Sequence, residues 1–87
     1  MDEIVIYTMR GCRNCSRMKE LLSRTGLQYT EKKKDVDFTN ESLQKIYPQL
    51  QGYPVMSIGG DFIGGIVEAV KFFVDNGLVT SKKWVRN

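Results

Sequence analysis

The chain contains no histidine, only two cysteines and only two prolines in 87 residues. Without histidine, the usual metal ligand and neutral-pH proton carrier is missing. Zinc wants four ligands, and two cysteines alone do not make such a site. Two cysteines also rule out a disulfide-dense secreted scaffold. No apolar run approaches the ~20 residues that a membrane span needs. Charge of one sign is not in large excess: 13 Lys and Arg against 10 Asp and Glu leave +3. No basic run is interleaved with aromatics, so nucleic-acid binding is not expected. With 41% hydrophobic and 26% charged residues the composition is that of a folded domain. The length predicts one domain, residues 1–87, with no second core. Met1-Asp2-Glu3 is acidic and runs straight into a strand pattern, unlike a signal peptide. The expected compartment is cytoplasmic, where a cysteine pair stays largely reduced and acts catalytically.

What the chain does have is Cys12-Arg13-Asn14-Cys15, a C-x-x-C. It follows the apolar stretch Ile4-Val5-Ile6-Tyr7, which reads as a buried strand, and it opens a helical pattern. Two thiols two residues apart at a strand-to-helix junction point to reversible disulfide chemistry. Arg13 and Asn14 are polar, which argues against a mere pair of core cysteines.

Cys15, Met18, Leu22 and Thr25 share one helical face, with Leu21 beside it, and Gly26 is suited to stop the helix. Gln28 to Lys34 reads as a lysine-rich edge strand, with a solvated loop as the alternative. Thr39 or Asn40 can cap a second helix whose face is Leu43, Ile46, Tyr47 and Leu50. Pro48 should end it near Tyr47. Val55 to Ile58 is a third strand, Gly59-Gly60-Asp61 a turn, and Phe62-Ile63 begins a fourth. A last helix presents Ile66, Val70, Phe73 and Val74 and stops at Asn76-Gly77. A basic tail, 81–87, follows, with Trp84 expected to pack back. The predicted order is β-α-β-α-β-β-α, an α/β fold with a four-stranded mixed sheet flanked by helices.

The nucleophile in disulfide exchange is the thiolate. Cys12 falls where the helix begins, and unpaired N–H groups there favour negative charge. Arg10, Arg13 and Arg17 add positive potential, so the Cys12 thiol is predicted to be the acidic one. Cys15 lies one turn inside, more buried. Cys12 would then form a mixed disulfide and Cys15 would resolve it. Tyr53-Pro54-Val55 places a proline just before the third strand. Its peptide bond is either cis, exposing the backbone of Tyr53 to an extended ligand, or trans. Gly64-Gly65 before the last helix permits close approach of an anion, although a glycine pair alone is a weak signal.

Together these pieces resemble glutaredoxin. Tyr7-Thr8, the C-x-x-C, Tyr53-Pro54-Val55 and Ile63-Gly64-Gly65 occur in the family's order, and the likeness spans Ile4 to about Gly77. It implies the thioredoxin fold, a cis Pro54, a monomer, and reduction of protein disulfides and glutathione mixed disulfides with glutathione as co-substrate. The residues it assigns to glutathione are Arg10, Arg13, Tyr53, Pro54, Gly65, Ile66, Val67 and Glu68. The chain departs from the family pattern in several places. Arg13-Asn14 replaces Pro-Tyr, and Met9 stands at the usual lysine, with Arg10 adjacent. Tyr53 replaces valine, Val67 a polar residue, and Glu68 the aspartate that receives the glutathione amino group.

Two other readings follow from the same resemblance. One is a hydrogen donor to an enzyme such as ribonucleotide reductase, itself reduced by thioredoxin reductase. The other is a module binding an iron–sulfur cluster across a dimer through Cys12 and glutathione. Relatives of that kind often carry C-G-F-S, whereas this chain keeps its second thiol.

Overall fold

The computed structural model describes residues 2–79. Four strands and three helices follow in the order β1 (Ile4–Thr8), α1 (Arg13–Thr25), β2 (Thr30–Lys33), α2 (Asn40–Ile46), β3 (Val55–Ile58), β4 (Asp61–Gly64) and α3 (Ile66–Asp75). The sheet order is β2-β1-β3-β4. β1 is parallel to β2 and antiparallel to β3, and β3 is antiparallel to β4. None of the described helices is long and apolar enough to cross a membrane.

Period-2 alternation along the two central strands divides the core into two layers. Ile4, Ile6 and Met56 pack with Met18, Leu21 and Leu22 of α1 and with Ala69, Val70 and Phe73 of α3. On the other face Val55 packs with Leu43, Tyr47 and Leu50 of the α2 region, and Tyr7, Phe38, Tyr53 and Phe62 close around them. Phe73 and the two leucines of α1 are fully buried. Each such side chain contributes roughly 1.5–3 kcal/mol relative to an exposed one.

Local chemistry sets the helix boundaries. Gly26 ends α1 in the left-handed conformation at φ 74°. Thr39 caps α2: its hydroxyl accepts the Ser42 N–H, and Ser42 Oγ in turn accepts the Thr39 N–H. Pro48 has no N–H for the carbonyl of Gln44, and α2 stops at Ile46. The Tyr47 hydroxyl then donates to the carbonyl of Gly60, tying the helix end to the β3–β4 turn.

Three sequence expectations need adjustment. The second strand is shorter than Gln28 to Lys34, and its edge position agrees with its lysines. Ile46 is 65% exposed rather than core. A seven-residue helix laid on a sheet buries one narrow stripe, Leu43 and Tyr47, and Ile46 lies about 100° around from Tyr47. Ala69, unremarked in the α3 pattern, sits at the centre of the contact, while Ile66 and Val74 are only half-buried. Trp84 and the basic tail lie outside the described residues.

Candidate active site

The loop leaving β1 turns at Gly11, whose φ of 71° suits glycine, and delivers Cys12 as the N-cap of α1. Cys12 Sγ accepts the backbone N–H of Cys15 at 3.1 Å. A sulfur thus occupies the place that a serine or aspartate oxygen takes in ordinary caps. The same N–H, together with the other unpaired amides of the first turn, favours negative charge on that atom. Cys12 and Cys15 are joined as a disulfide, with Cα atoms 5.2 Å apart. Cys12 is partly exposed and Cys15 is buried at 3%. An external thiol or disulfide therefore meets Cys12 first.

Pro54 is buried, and its bond to Tyr53 is cis. The carbonyl oxygen of Tyr53 lies 3.8 Å from Cys12 Sγ. Residues far outside the sequence motifs hold this loop. The Tyr53 hydroxyl donates to Asn40 Oδ1 at 2.7 Å, and its ring lies 6.0 Å from that of Phe38. Burial pushes the Tyr53 phenol up from its ordinary value. Asn40 is free for this because Thr39 does the capping. In the sequence Asn40 reads only as a cap, and nothing in the local pattern of Asn40 or Phe38 announces a tether to residue 53.

Gly64 and Gly65 bring the start of α3 against the same loop. Gly64 has φ 130°, and a Cβ there would come within 2.9 Å of Glu68 Cβ. A Cβ on Gly65 would meet the carbonyl oxygen of Pro54 at 3.4 Å. Glycine therefore lets Pro54, Gly65 and Glu68 converge. Glu68 Oε1 accepts the Gly65 N–H at 3.0 Å, which leaves the amides of Ile66 and Val67 at the helix start. Val67 is 70% exposed.

A groove lined by Asn14, Tyr53, Pro54, Gly65, Ile66 and Glu68 runs into the hollow that holds Cys12, Arg13, Arg17 and Tyr53. The structure thus gathers Cys12, Arg13, Tyr53, Pro54, Gly65, Ile66 and Glu68 along one continuous depression. Arg10 stands apart from this groove: it lines a separate depression with Lys33 and Lys34. Met9, at the family's lysine position, lines the same depression.

Behind Cys15, Thr8, Lys19 and Glu31 line a smaller hollow with both cysteines. Buried Thr8 donates its hydroxyl to Glu31 Oε2 at 2.7 Å, and Lys19 Nζ lies 3.4 Å from the same oxygen. Partial burial acts to raise the Glu31 carboxyl, but the Thr8 and Lys19 hydrogen bonds outweigh it and hold the group below its usual value. A carboxyl depressed in the folded state adds stability above its unfolded pKa. That stability is lost as pH falls through the folded value. Glu31→Gln is therefore expected to lower stability at neutral pH and to flatten the acid limb. Urea unfolding at pH 7 and below pH 4 measures this, and an unchanged pH dependence would contradict it.

A sheet in the order β2-β1-β3-β4, with a C-x-x-C capping the first helix and a cis proline opposite it, is the thioredoxin-like arrangement. Residues 4–63 match the profile of the glutaredoxin family. The chain belongs to the glutaredoxin family, and this membership implies a thiol oxidoreductase with Cys12 and Cys15 as its dithiol. Among solved structures, the chain is similar to the glutaredoxin of Brucella melitensis at 30% identity and TM-score 0.67, over 94% of each chain. It is similar to a buckwheat glutaredoxin–glutathione complex at 26% identity and TM-score 0.73, over 88% of this chain and 73% of that one. It shares the fold of reduced Escherichia coli glutaredoxin at 24% identity and TM-score 0.72, over 88% of this chain and 99% of that one. No curated protein matches.

Proposed function

We propose that the protein is a glutathione-linked thiol–disulfide oxidoreductase that reduces protein disulfides and glutathione mixed disulfides. The observation that carries this reading is the continuous depression from Cys12 past Tyr53 and Pro54 to the start of α3. The buckwheat relative in complex with glutathione supports it.

In the reductive direction the Cys12 thiolate attacks a substrate disulfide. One substrate sulfur leaves as a thiolate and takes up a proton, while Cys12 forms the mixed disulfide. Cys15, deprotonated, attacks Cys12 Sγ and displaces the second substrate thiol. Two electrons have passed to the substrate, and the protein holds the Cys12–Cys15 disulfide, the state seen here. Two glutathione molecules then reduce it and leave as glutathione disulfide.

Glutathione lies with its cysteinyl sulfur at Cys12 and its backbone beside Tyr53. Its γ-glutamyl carboxylate reaches the amides of Ile66 and Val67 at the start of α3. Its ammonium pairs with Glu68, which the Gly65 N–H holds in place. Arg13 offers a cation near the nucleophile, at the glycyl end of the tripeptide. The compartment is cytoplasmic, where a glutathione pool keeps the pair reduced.

Glu68 tests the groove. Glu68→Ala is expected to raise the KM for glutathione about tenfold, the scale of one charge-assisted hydrogen bond. Glu68→Gln keeps the cap but not the charge and should give most of the same rise. Coupled turnover with glutathione reductase measures both. Glutathione kinetics equal to wild type in both variants would remove Glu68 from the site, and wild-type protein that ignores glutathione would overturn the function.

A further inference from the structure

The Cys12 sulfur separates two flanks of opposite character. The flank toward Pro54 and Gly65 is lined by Glu68 and by no cation among the described residues. The other flank is a depression of about 590 Å3 at the ends of β1 and β2. It adjoins Cys12 and Cys15 through the small hollow that Thr8, Lys19 and Glu31 share with them.

This second flank is basic in a way the sequence disperses. Arg10 sits after β1, Lys19 on α1, and Lys33 and Lys34 at the end of β2. The parallel register puts Lys33 beside Thr8, next to the cysteine loop. Arg13 and Arg17 stand with Cys12 and Tyr53 where the two flanks meet, and Arg13 also lines the small hollow. The carboxylates of the depression are already engaged: Glu31 holds Thr8 and Lys19, and Asp35 holds Lys34. Asp37, just outside, accepts the backbone N–H of Lys33. Among the described residues no carboxylate forms an ion pair with Arg10, Arg13, Arg17 or Lys33. Four of the chain's 13 cations and two of its 10 acids thus line this depression beside the disulfide. The local net charge is +2, most of the +3 of the whole chain. Met9, 41% exposed, and Val36, 77% exposed, add apolar surface at the rim.

We propose that this flank docks an acidic segment, rich in Asp and Glu, of the protein whose disulfide Cys12 attacks. The inference rests on the thiol-oxidoreductase reading but not on glutathione. A tripeptide carrying one net negative charge and seated in the Glu68 groove leaves Arg10, Lys33 and Lys34 without a role. A polypeptide crossing the site past Cys12 extends beyond that groove and meets them. Complementary charge in such a surface speeds encounter and fixes orientation.

The test uses protein reduced beforehand and freed of reductant, in single turnover without glutathione. The substrates are two disulfide peptides of equal length, one with Asp and Glu flanking the cysteines and one with Asn and Gln in their place. Uncharged bis(2-hydroxyethyl) disulfide reports the intrinsic reactivity of Cys12. The acidic peptide is expected to react roughly tenfold faster than the neutral one at low salt, and the preference should shrink at high salt. The double variant K33E/K34E should lose the preference while keeping its rate on the uncharged disulfide, and Lys33→Gln should show a smaller loss in the same direction. Equal rates on the two peptides in wild-type protein would overturn the proposal. So would an equal loss on all three substrates in the variants. Reduced protein that transfers electrons to none of the three would sink the oxidoreductase reading, and the docking surface with it. Failure of glutathione alone as reductant leaves these rates untouched.

Discussion

Cys12→Ser is expected to abolish every disulfide exchange the protein performs, by about a thousandfold or more, the scale on which loss of a nucleophile acts. The argument is positional. Cys12 is the partly exposed member of the pair, and Cys15 is buried at 3%. Cys12 Sγ alone accepts the Cys15 N–H and lies beside the Tyr53 carbonyl. A serine hydroxyl would accept the same N–H and preserve the cap, so the helix and the fold should persist. What disappears is a sulfur that can carry negative charge and form the mixed disulfide. Stoichiometric reduction of a model disulfide, with circular dichroism as the check on folding, measures this. Retained exchange through Cys15 would contradict the assignment.

Cys15→Ser is expected to divide the activities. Reduction of a glutathione mixed disulfide needs one protein thiol and should stay within the wild-type order of magnitude. Reduction of protein disulfides should fall by roughly a hundredfold, because a neighbouring thiol attacks at an effective concentration that free glutathione does not approach. Glutathione-bound Cys12 should accumulate and be visible by intact mass. Loss of both activities to the same degree would mean that Cys15 supports Cys12 structurally rather than resolving its mixed disulfide.

Much of this architecture was legible in the chain because its signals are local. Alternation defines β1 and β3, glycine and proline mark the ends of α1 and α2, and the C-x-x-C announces its chemistry through spacing alone. The convergence of Pro54 on Gly65 was also foreseeable, since both belong to a family pattern with fixed spacing. The remainder depends on tertiary placement. Ile46 fits the helical period yet faces solvent, because a short helix buries only one stripe. Asn40 and Phe38 anchor Tyr53 across thirteen or more residues, and no periodicity encodes that tether. Arg10 sits two residues from Cys12 in sequence, but the turn at Gly11 leaves it on the other flank of the disulfide, among Lys33 and Lys34. The sequence distributes those cations over three elements, and only the parallel β1–β2 pairing gathers them into one surface.

The most direct measurement compares two electron sources for the Cys12–Cys15 disulfide. A small glutathione mixed disulfide is turned over with glutathione and glutathione reductase, and in parallel with thioredoxin reductase, following NADPH oxidation. Fast turnover with glutathione, slow with thioredoxin reductase, is the expected result and would show that Tyr53, Ile66, Val67 and Glu68 make a working glutathione groove. Turnover with thioredoxin reductase alone would contradict it: the dithiol would stand, but the groove beside Pro54 and Gly65 would have to be reassigned.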